Sequence, residues 1–252
     1  MNLKQLTQLG ILASPGESEE AYYKRVERFQ GKKTAGISSK YSELVFGFTP
    51  SWVEVSYSKD SLRLWEGGYF CYDGDQCELV LHPALKNKDS LWGLYSKHEI
   101  ISHEMVHAMR APFDEPIFEE HLAYMTSKST LRAFLGPLFR TPRESFLFLS
   151  FTLLGTLLSL WTYVPTLALL GYSLYLLARL TCNNAHLKRA HKALSAHIQD
   201  EKRARSALLF LQDSEILLLS KKGVPSFLEK LKSNQELRLK QLNLLISPDW
   251  GT

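Results

Sequence analysis

From Trp52 to His82 the chain runs in short apolar or alternating stretches, VEVSY, SLRLWE, GGYFCY and CELVLH, separated by Lys-Asp, Gly-Gly and Asp-Gly. Period-two patterning between such turn residues predicts a small antiparallel sheet. Cys77 to His82 is its expected edge strand, beside which an extended peptide would pair by main-chain hydrogen bonds. From Ser90 the period changes: Leu91, Leu94, Tyr95, Ile100, Ile101, Met105, Val106 and Met109 recur mostly at steps of three and four. That spacing predicts one helix, capped by Ser90 and stopped by Pro112. Residues 1–48 read as one or two amphipathic helices, with SEEAYYKRVERFQ opening at Ser18, followed by a linker containing Gly and Ser.

The longest departure from a soluble pattern lies further on. Ser145 to Ala178 is a run of 34 residues without Asp, Glu, Lys, Arg or His. One bilayer crossing takes about 20 apolar residues, or about 17 at the short end, so this length fits two short crossings broken near Pro165. Trp161 and Tyr163 fall near that turn, where aromatic side chains anchor at an interface. Arg132, Arg140 and Arg143 precede the run and Arg179, Lys188, Arg189 and Lys192 follow it, so both ends are expected in the cytoplasm. Beyond it, AHLKRAHKALSAHIQDEKRARSALLF predicts a basic amphipathic helix suited to anionic headgroups, and Leu at helical spacing continues to residue 246.

Composition adds little to this picture. A net charge of +4 over 252 residues is ordinary, as is a mean hydropathy of −0.15. No phosphate-cradling glycine loop and no nucleic-acid module is present, so nucleic acid is not an expected partner. The N-terminus has neither an early apolar core nor a cleavage-type sequence, so export is not expected. Cys71 and Cys77 flank Tyr-Asp-Gly-Asp-Gln and could face each other across a hairpin. Three cysteines in all favour reduced thiols.

Candidate chemistry sits in HEIISHEMVHAMR, residues 98–110. His103 and His107 are four apart, one helical turn, and can aim two ring nitrogens at one tetrahedral ion. His98, five residues before His103, is turned away. HEMVH is the pattern in which two His bind Zn²⁺ and the intervening Glu, here Glu104, acts on a zinc-bound water. The layout HExxHxxGxxH fails, because positions 110 and 113 are Arg110 and Phe113. Asp114 is one residue out of register and reads as a helix N-cap before Glu115 and Pro116. A Glu from a second helix is the other layout, and PIFEEHLAYMTS, residues 116–127, offers one. His186, His191 and His197 have no partner four residues away and are weak metal candidates.

These residues resemble the gluzincin metallopeptidases, whose third zinc ligand is a Glu on a downstream helix, commonly followed three positions later by a small residue. Glu120-His121-Leu122-Ala123 fits that form, and Ala123 lets the second helix approach closely. Glu119 is a rival ligand, with Ala123 one turn away. The resemblance covers about residues 50–130 and implies a zincin core with Zn²⁺ on His103, His107 and Glu120, leaving a fourth position open for water. It implies Glu104 as the proton acceptor, with Tyr124 or His121 donating to the oxyanion. Many gluzincins have Asp where this chain has Tyr124, so the pattern leaves unassigned the carboxylate that orients His103 or His107.

The expected fold is α+β: a minimal zincin core over 49–140 after the N-terminal helical segment 1–48, then a transmembrane helical hairpin over 145–180 and an α-helical C-terminal region over 181–252. The expected function is that of a zinc metallopeptidase anchored in the inner or cytoplasmic membrane. Its site is expected in the cytoplasm, the side on which the basic flanks place both ends of the hairpin, and outside the lipid, since Lys97, His98, Glu99 and Arg110 make the HEMVH segment too polar to cross. Its expected partners are the lipid bilayer and a peptide or protein substrate. The alternative from another class is a non-catalytic membrane scaffold that keeps the zincin shape. Cleavage specificity and oligomeric state are not legible from the sequence.

Overall fold

A computed structural model describes residues 1–30, 40–48, 50–60, 62, 66–72, 77–159, 161–233, 236–247 and 250. It is mixed α and β and mostly helical. In chain order the elements are α1 (Leu3–Gln8), α2 (Glu19–Gln30), α3 (Lys40–Phe46), β1 (Glu54–Tyr57), β2 (Gly68–Tyr72), β3 (Cys77–Leu81), β4 (Ser90–Leu91) and β5 (Tyr95–Ser96). There follow α4 (Lys97–Arg110), α5 (Glu119–Tyr124), α6 (Thr130–Leu135), α7 (Pro142–Leu158), α8 (Val164–Ile198), α9 (Glu201–Leu208), α10 (Asp213–Ser233) and α11 (Leu237–Ile246). The expected SLRLWE strand, the Asp73-Gly74 turn and the linker at 31–39 fall mostly or wholly outside the described residues.

The sheet differs from the expectation in two ways. Its order is β1-β3-β2, with β1 parallel and β2 antiparallel to β3. It is therefore mixed, and Cys77–Leu81 is the centre rather than an edge. The reason is legible in the burial of β3: Leu79, Val80 and Leu81 are all buried, on both faces, which suits a strand flanked on both sides. Among the described strands the edge beside α4 is β2. Cys71 lies opposite Glu78, not Cys77, and no disulfide joins any of the three cysteines.

Ser90 does not start the long helix. Ser90 and Leu91 pair with Ser96 and Tyr95 in a small hairpin whose turn places Trp92 and Gly93 at φ 51° and 70°. Left-handed backbone at two successive residues interrupts any helix, so the apolar spacing of Leu91, Leu94 and Tyr95 belongs to the hairpin. α4 starts at Lys97, where the Ser96 hydroxyl accepts from the Glu99 N–H at 3.2 Å. Its end is also earlier than expected, at Arg110, followed by a 3₁₀ turn over Ala111–Phe113. Asp114 then sits at φ 49° and closes that turn instead of capping α5. The turn leading into α5 is held from far away: the Asp213 carboxylate accepts the Ile117 and Phe118 N–H groups at 2.7 and 3.2 Å, while Glu115 accepts from the Asp213 N–H.

Two apolar clusters fix α4 in place. One joins Leu6, Ile11, Tyr22, Val26 and Phe29 of the N-terminal segment to Trp52, Leu79, Ile101 and Met105. The other joins Val106, Met109, Phe118 and Leu122 to Leu208, Phe210, Leu239 and Leu242. Described residues before and after the apolar helices thus pack on the same two helices that carry the candidate chemistry. Arg110, wholly buried, ties the end of α4 to the chain after α9 by donating to the Leu209 and Leu211 carbonyls at 2.9 and 3.0 Å.

α7 and α8 pack against each other. Phe151 and Tyr172 rings lie 6.0 Å apart, and the Arg179 guanidinium holds Glu144 with contacts of 2.6 and 2.7 Å. A Cβ on Gly155 would stand 3.6 Å from the Pro165 carbonyl oxygen, so the helices approach closely there; nothing lies near Gly171. Their outer faces are apolar and exposed, including Phe146 at 70%, Leu153 at 64% and Leu170 at 55%. Among the described residues one helix, α8, is long and apolar enough to cross a membrane. α7 has 17 residues. The basic stretch after the apolar run is not a separate helix. Its first part continues α8 to Ile198, Gln199 breaks the helix at φ 57°, and Asp200 caps α9.

Candidate metal centre

α4 presents His103, Glu104 and His107 on the face opposite its buried Val106 and Met109, and α5 brings Glu119 and Glu120 alongside. Ala123, wholly buried, lies in the α5 face that packs inward. The His103 and His107 Nε2 atoms are 3.3 Å apart. Glu120 Oε1 is 3.5 Å from His107 Nε2, and Oε2 is 3.7 Å from His103 Nε2. Bonds of about 2.0–2.2 Å at tetrahedral angles separate ligand atoms by about 3.3–3.6 Å. The three side chains therefore form a group that could hold one metal ion. Helical spacing anticipates the two histidines and the gluzincin resemblance anticipates Glu120, and the structure brings the three together.

Glu119 settles into a different place. Its Oε1 lies 2.7 Å from His107 Nδ1, on the far side of the ring from the other ligand atoms. A carboxylate there keeps the proton on Nδ1 and leaves the Nε2 lone pair facing His103 and Glu120. Two imidazole lone pairs and a carboxylate oxygen then meet with no positive charge between them. In the metal-free protein His107 answers by keeping a second proton. Burial pulls its pKa down, but the Glu119 hydrogen bond and the charges of Glu120 and Glu104 prevail and lift it to about 9. His103 is held well below the usual imidazole value by burial and by His107. A dication answers the same electrostatic need, so the donor set fits a metal.

Two measurable consequences follow from Glu119 and His107. Replacing Glu119 by Ala should weaken metal binding by about 10–100-fold without removing it, whereas Glu120→Ala should remove it. The reverse ranking in a metal titration would make Glu119 the ligand. Metal uptake should also be proton-linked: below about 9 the ion must displace the extra proton of His107. Affinity should fall as the pH is lowered through that value, by up to about tenfold per unit. An affinity flat between mildly acid and alkaline pH would contradict this.

Glu104 lies half-buried between the two histidines. Burial raises its carboxyl, His107 lowers it, Glu120 raises it and the Phe70 N–H lowers it, and the balance stands at about 7. The Phe70 contact also shows how the sheet meets the site. His82 donates to the Gly67 carbonyl, and the β2–β3 register then turns the Gly68 and Phe70 backbone groups away from β3, toward the outer edge. Hollows of about 340 and 420 Å³ lie on the two sides of Glu104. The first is bounded by Tyr95, Glu99, His103, Tyr124 and Arg132, the second by Tyr69, Tyr72, His107 and Glu119.

Tyr124 stands against His103, ring centroids 4.5 Å apart, and burial raises its phenol above the ordinary range. It has room because residue 136 is glycine: a Cβ there would meet the Tyr124 ring at 2.3 Å. His121 is turned the other way, buried 6.0 Å from Phe118 and lowered to about 4 by burial and by Arg140 and Arg179. It lines neither hollow. His98 is exposed and apart from the group. Sequence reasoning missed the Glu119 contact, the Phe70 N–H and the Arg132–Glu99 pair at 3.2 Å. Only Glu119, adjacent to Glu120, left a trace in the sequence.

Comparison with family models, curated proteins and solved structures finds no match for this chain.

Proposed function

We propose that the chain is a membrane-anchored zinc metallopeptidase. The observation that carries this reading is the convergence of His103, His107 and Glu120 beside a half-buried Glu104, at the outer edge of β2. Two imidazoles and one carboxylate are a catalytic zinc donor set, since they leave a position open. When bound, the ion would polarise a carbonyl and acidify water. Every other part of the reaction falls to the chain. Glu104, with a carboxyl near neutrality, accepts the proton of the attacking water and passes it to the leaving amine. Glu119 fixes the tautomer of His107. The outward backbone groups of Gly68 and the Phe70 carbonyl align an extended substrate, while the Phe70 N–H stays on Glu104, and the two hollows receive side chains on either side of the scissile bond. Tyr124 offers its hydroxyl to the developing oxyanion.

The anchor in this reading is α7 with α8, crossing as a short hairpin whose two ends lie in the cytoplasm. Their exposed leucines and phenylalanines support it, as do the basic residues at both ends. The whole reading is tested on detergent-purified protein. One zinc per chain is expected, with peptide hydrolysis that a chelator abolishes and added Zn²⁺ restores. Stoichiometric zinc without hydrolysis of any peptide would leave a metal-holding membrane scaffold, and hydrolysis indifferent to chelation would overturn the site.

A further inference from the structure

The β4–β5 hairpin ends in a turn closed by the Leu94 N–H on the Leu91 carbonyl at 3.0 Å, with Trp92 and Gly93 both at positive φ. A turn of that hand suits Asn, Asp or Gly at its first central position. Here the position holds a tryptophan, an outlier for so bulky a side chain. The effect is display: Trp92 is 54% exposed and Leu94 68%. Beside the tip lies α6, joined to it by the Arg132 guanidinium, which donates to the Leu94 carbonyl at 2.9 Å and covers the Tyr95 ring. α6 exposes Leu131 and Phe134 and leads through a 3₁₀ turn, Gly136–Leu138, toward the exposed Phe146 of α7. Lys86 and Lys88 precede the hairpin, and Lys128 precedes α6, all exposed to solvent. Both elements line the hollow next to Glu104, the hairpin through Tyr95 and α6 through Arg132.

We infer that the Trp92–Leu94 turn and the exposed face of α6 dip into the headgroup layer of an anionic bilayer, so that the site takes polypeptide segments emerging from the lipid surface. The inference rests on the membrane-anchored reading of α7 and α8. Continuity argues for lipid as the occupant. The patch runs by covalent connection into the apolar surface of α7, its tip residue is the amphipathic aromatic favoured at an interface, and lysines stand beside it where headgroup phosphates would lie. The substrate class changes accordingly: juxtamembrane segments of membrane proteins are favoured over soluble peptides, because the hairpin and α6 that meet the lipid also supply Tyr95 and Arg132 to the wall of the hollow.

The test uses the full chain, one copy per nanodisc of phosphatidylcholine and phosphatidylserine, with Cys71 and Cys182 replaced by Ser. A single environment-sensitive fluorophore is placed in turn at Leu94→Cys, at Leu170→Cys in the exposed part of α8, and at Lys59→Cys beyond β1. Spin-labelled lipids carry the quencher either near the headgroup or near the bilayer centre. The expected result is several-fold quenching of position 94 by the shallow label alone, quenching of position 170 by the deep label, and none at position 59. Quenching at 170 with none at 94 would overturn the docking surface while leaving the anchor intact. No quenching at 170 would remove the anchor, and the docking surface with it. Because the readout is depth and not hydrolysis, neither outcome is confused with failure of the catalytic reading.

Discussion

Glu104→Gln should retain a full equivalent of zinc and lose peptide hydrolysis by about 10²–10⁴-fold, the usual contribution of a positioned general base. The amide keeps the shape of the carboxylate and can still accept the Phe70 N–H, so the cleft stays intact while the proton acceptor is gone. His103→Ala, His107→Ala and Glu120→Ala should lose activity by a different route, through loss of the metal itself. Metal analysis beside activity separates the two classes. Normal turnover by Glu104→Gln would remove the proposed mechanism, and full metal content in Glu120→Ala would remove that residue as a ligand. Each variant should keep its fold, because the clusters that hold α4 and α5 lie on their other faces.

The second large effect concerns the apolar helices. Alkaline carbonate should leave the protein in the membrane fraction, and reporters fused after Lys128 and after Lys188 should both lie in the cytoplasm, with one at Pro165 on the opposite side. Each Leu or Phe at the centre of a crossing favours insertion by about 0.3–0.6 kcal/mol, and most of the α7 surface is made of these residues. With 17 residues α7 spans about 25 Å, short of a hydrocarbon core of about 30 Å. Local thinning of the bilayer around the hairpin is therefore expected. Release by carbonate would reassign both helices to a soluble assembly without touching the metal group.

What was legible in the sequence follows the range of the interactions involved. The pairing of His103 with His107 needs only the pitch of a helix, and the apolar run from 145 to 178 needs only composition. The start of α4 departs from the apolar period because Leu91, Leu94 and Tyr95 fit a helix by spacing while a turn at Trp92–Gly93 claims them. Strand order was beyond local patterning: β3 became central because both of its faces are covered, and the parallel partner β1 comes from earlier in the chain. Least legible were contacts across about a hundred positions, Asp213 on the turn before α5 and Arg110 on the carbonyls after α9. Glu119 lay between these extremes. Its neighbour was identified, but its contact with His107 depends on how α5 is rotated against α4.

α8 is one uninterrupted helix of 35 residues, about 52 Å long. Its first half carries exposed apolar side chains, and its second half contributes Leu187, Ala190 and Leu194 to the core beneath α5. No loop separates the two halves, so the lower body and the apolar rod turn together. A single residue inserted near Cys182 would twist one half against the other by about 100° and lengthen the rod by about 1.5 Å. Arg179, on the near side of such an insertion, would keep Glu144, whereas everything from Asn183 onward would face a new direction. The helix acts as a drive shaft, and the aim of the metal group relative to the apolar hairpin is set by where along it the chain keeps count.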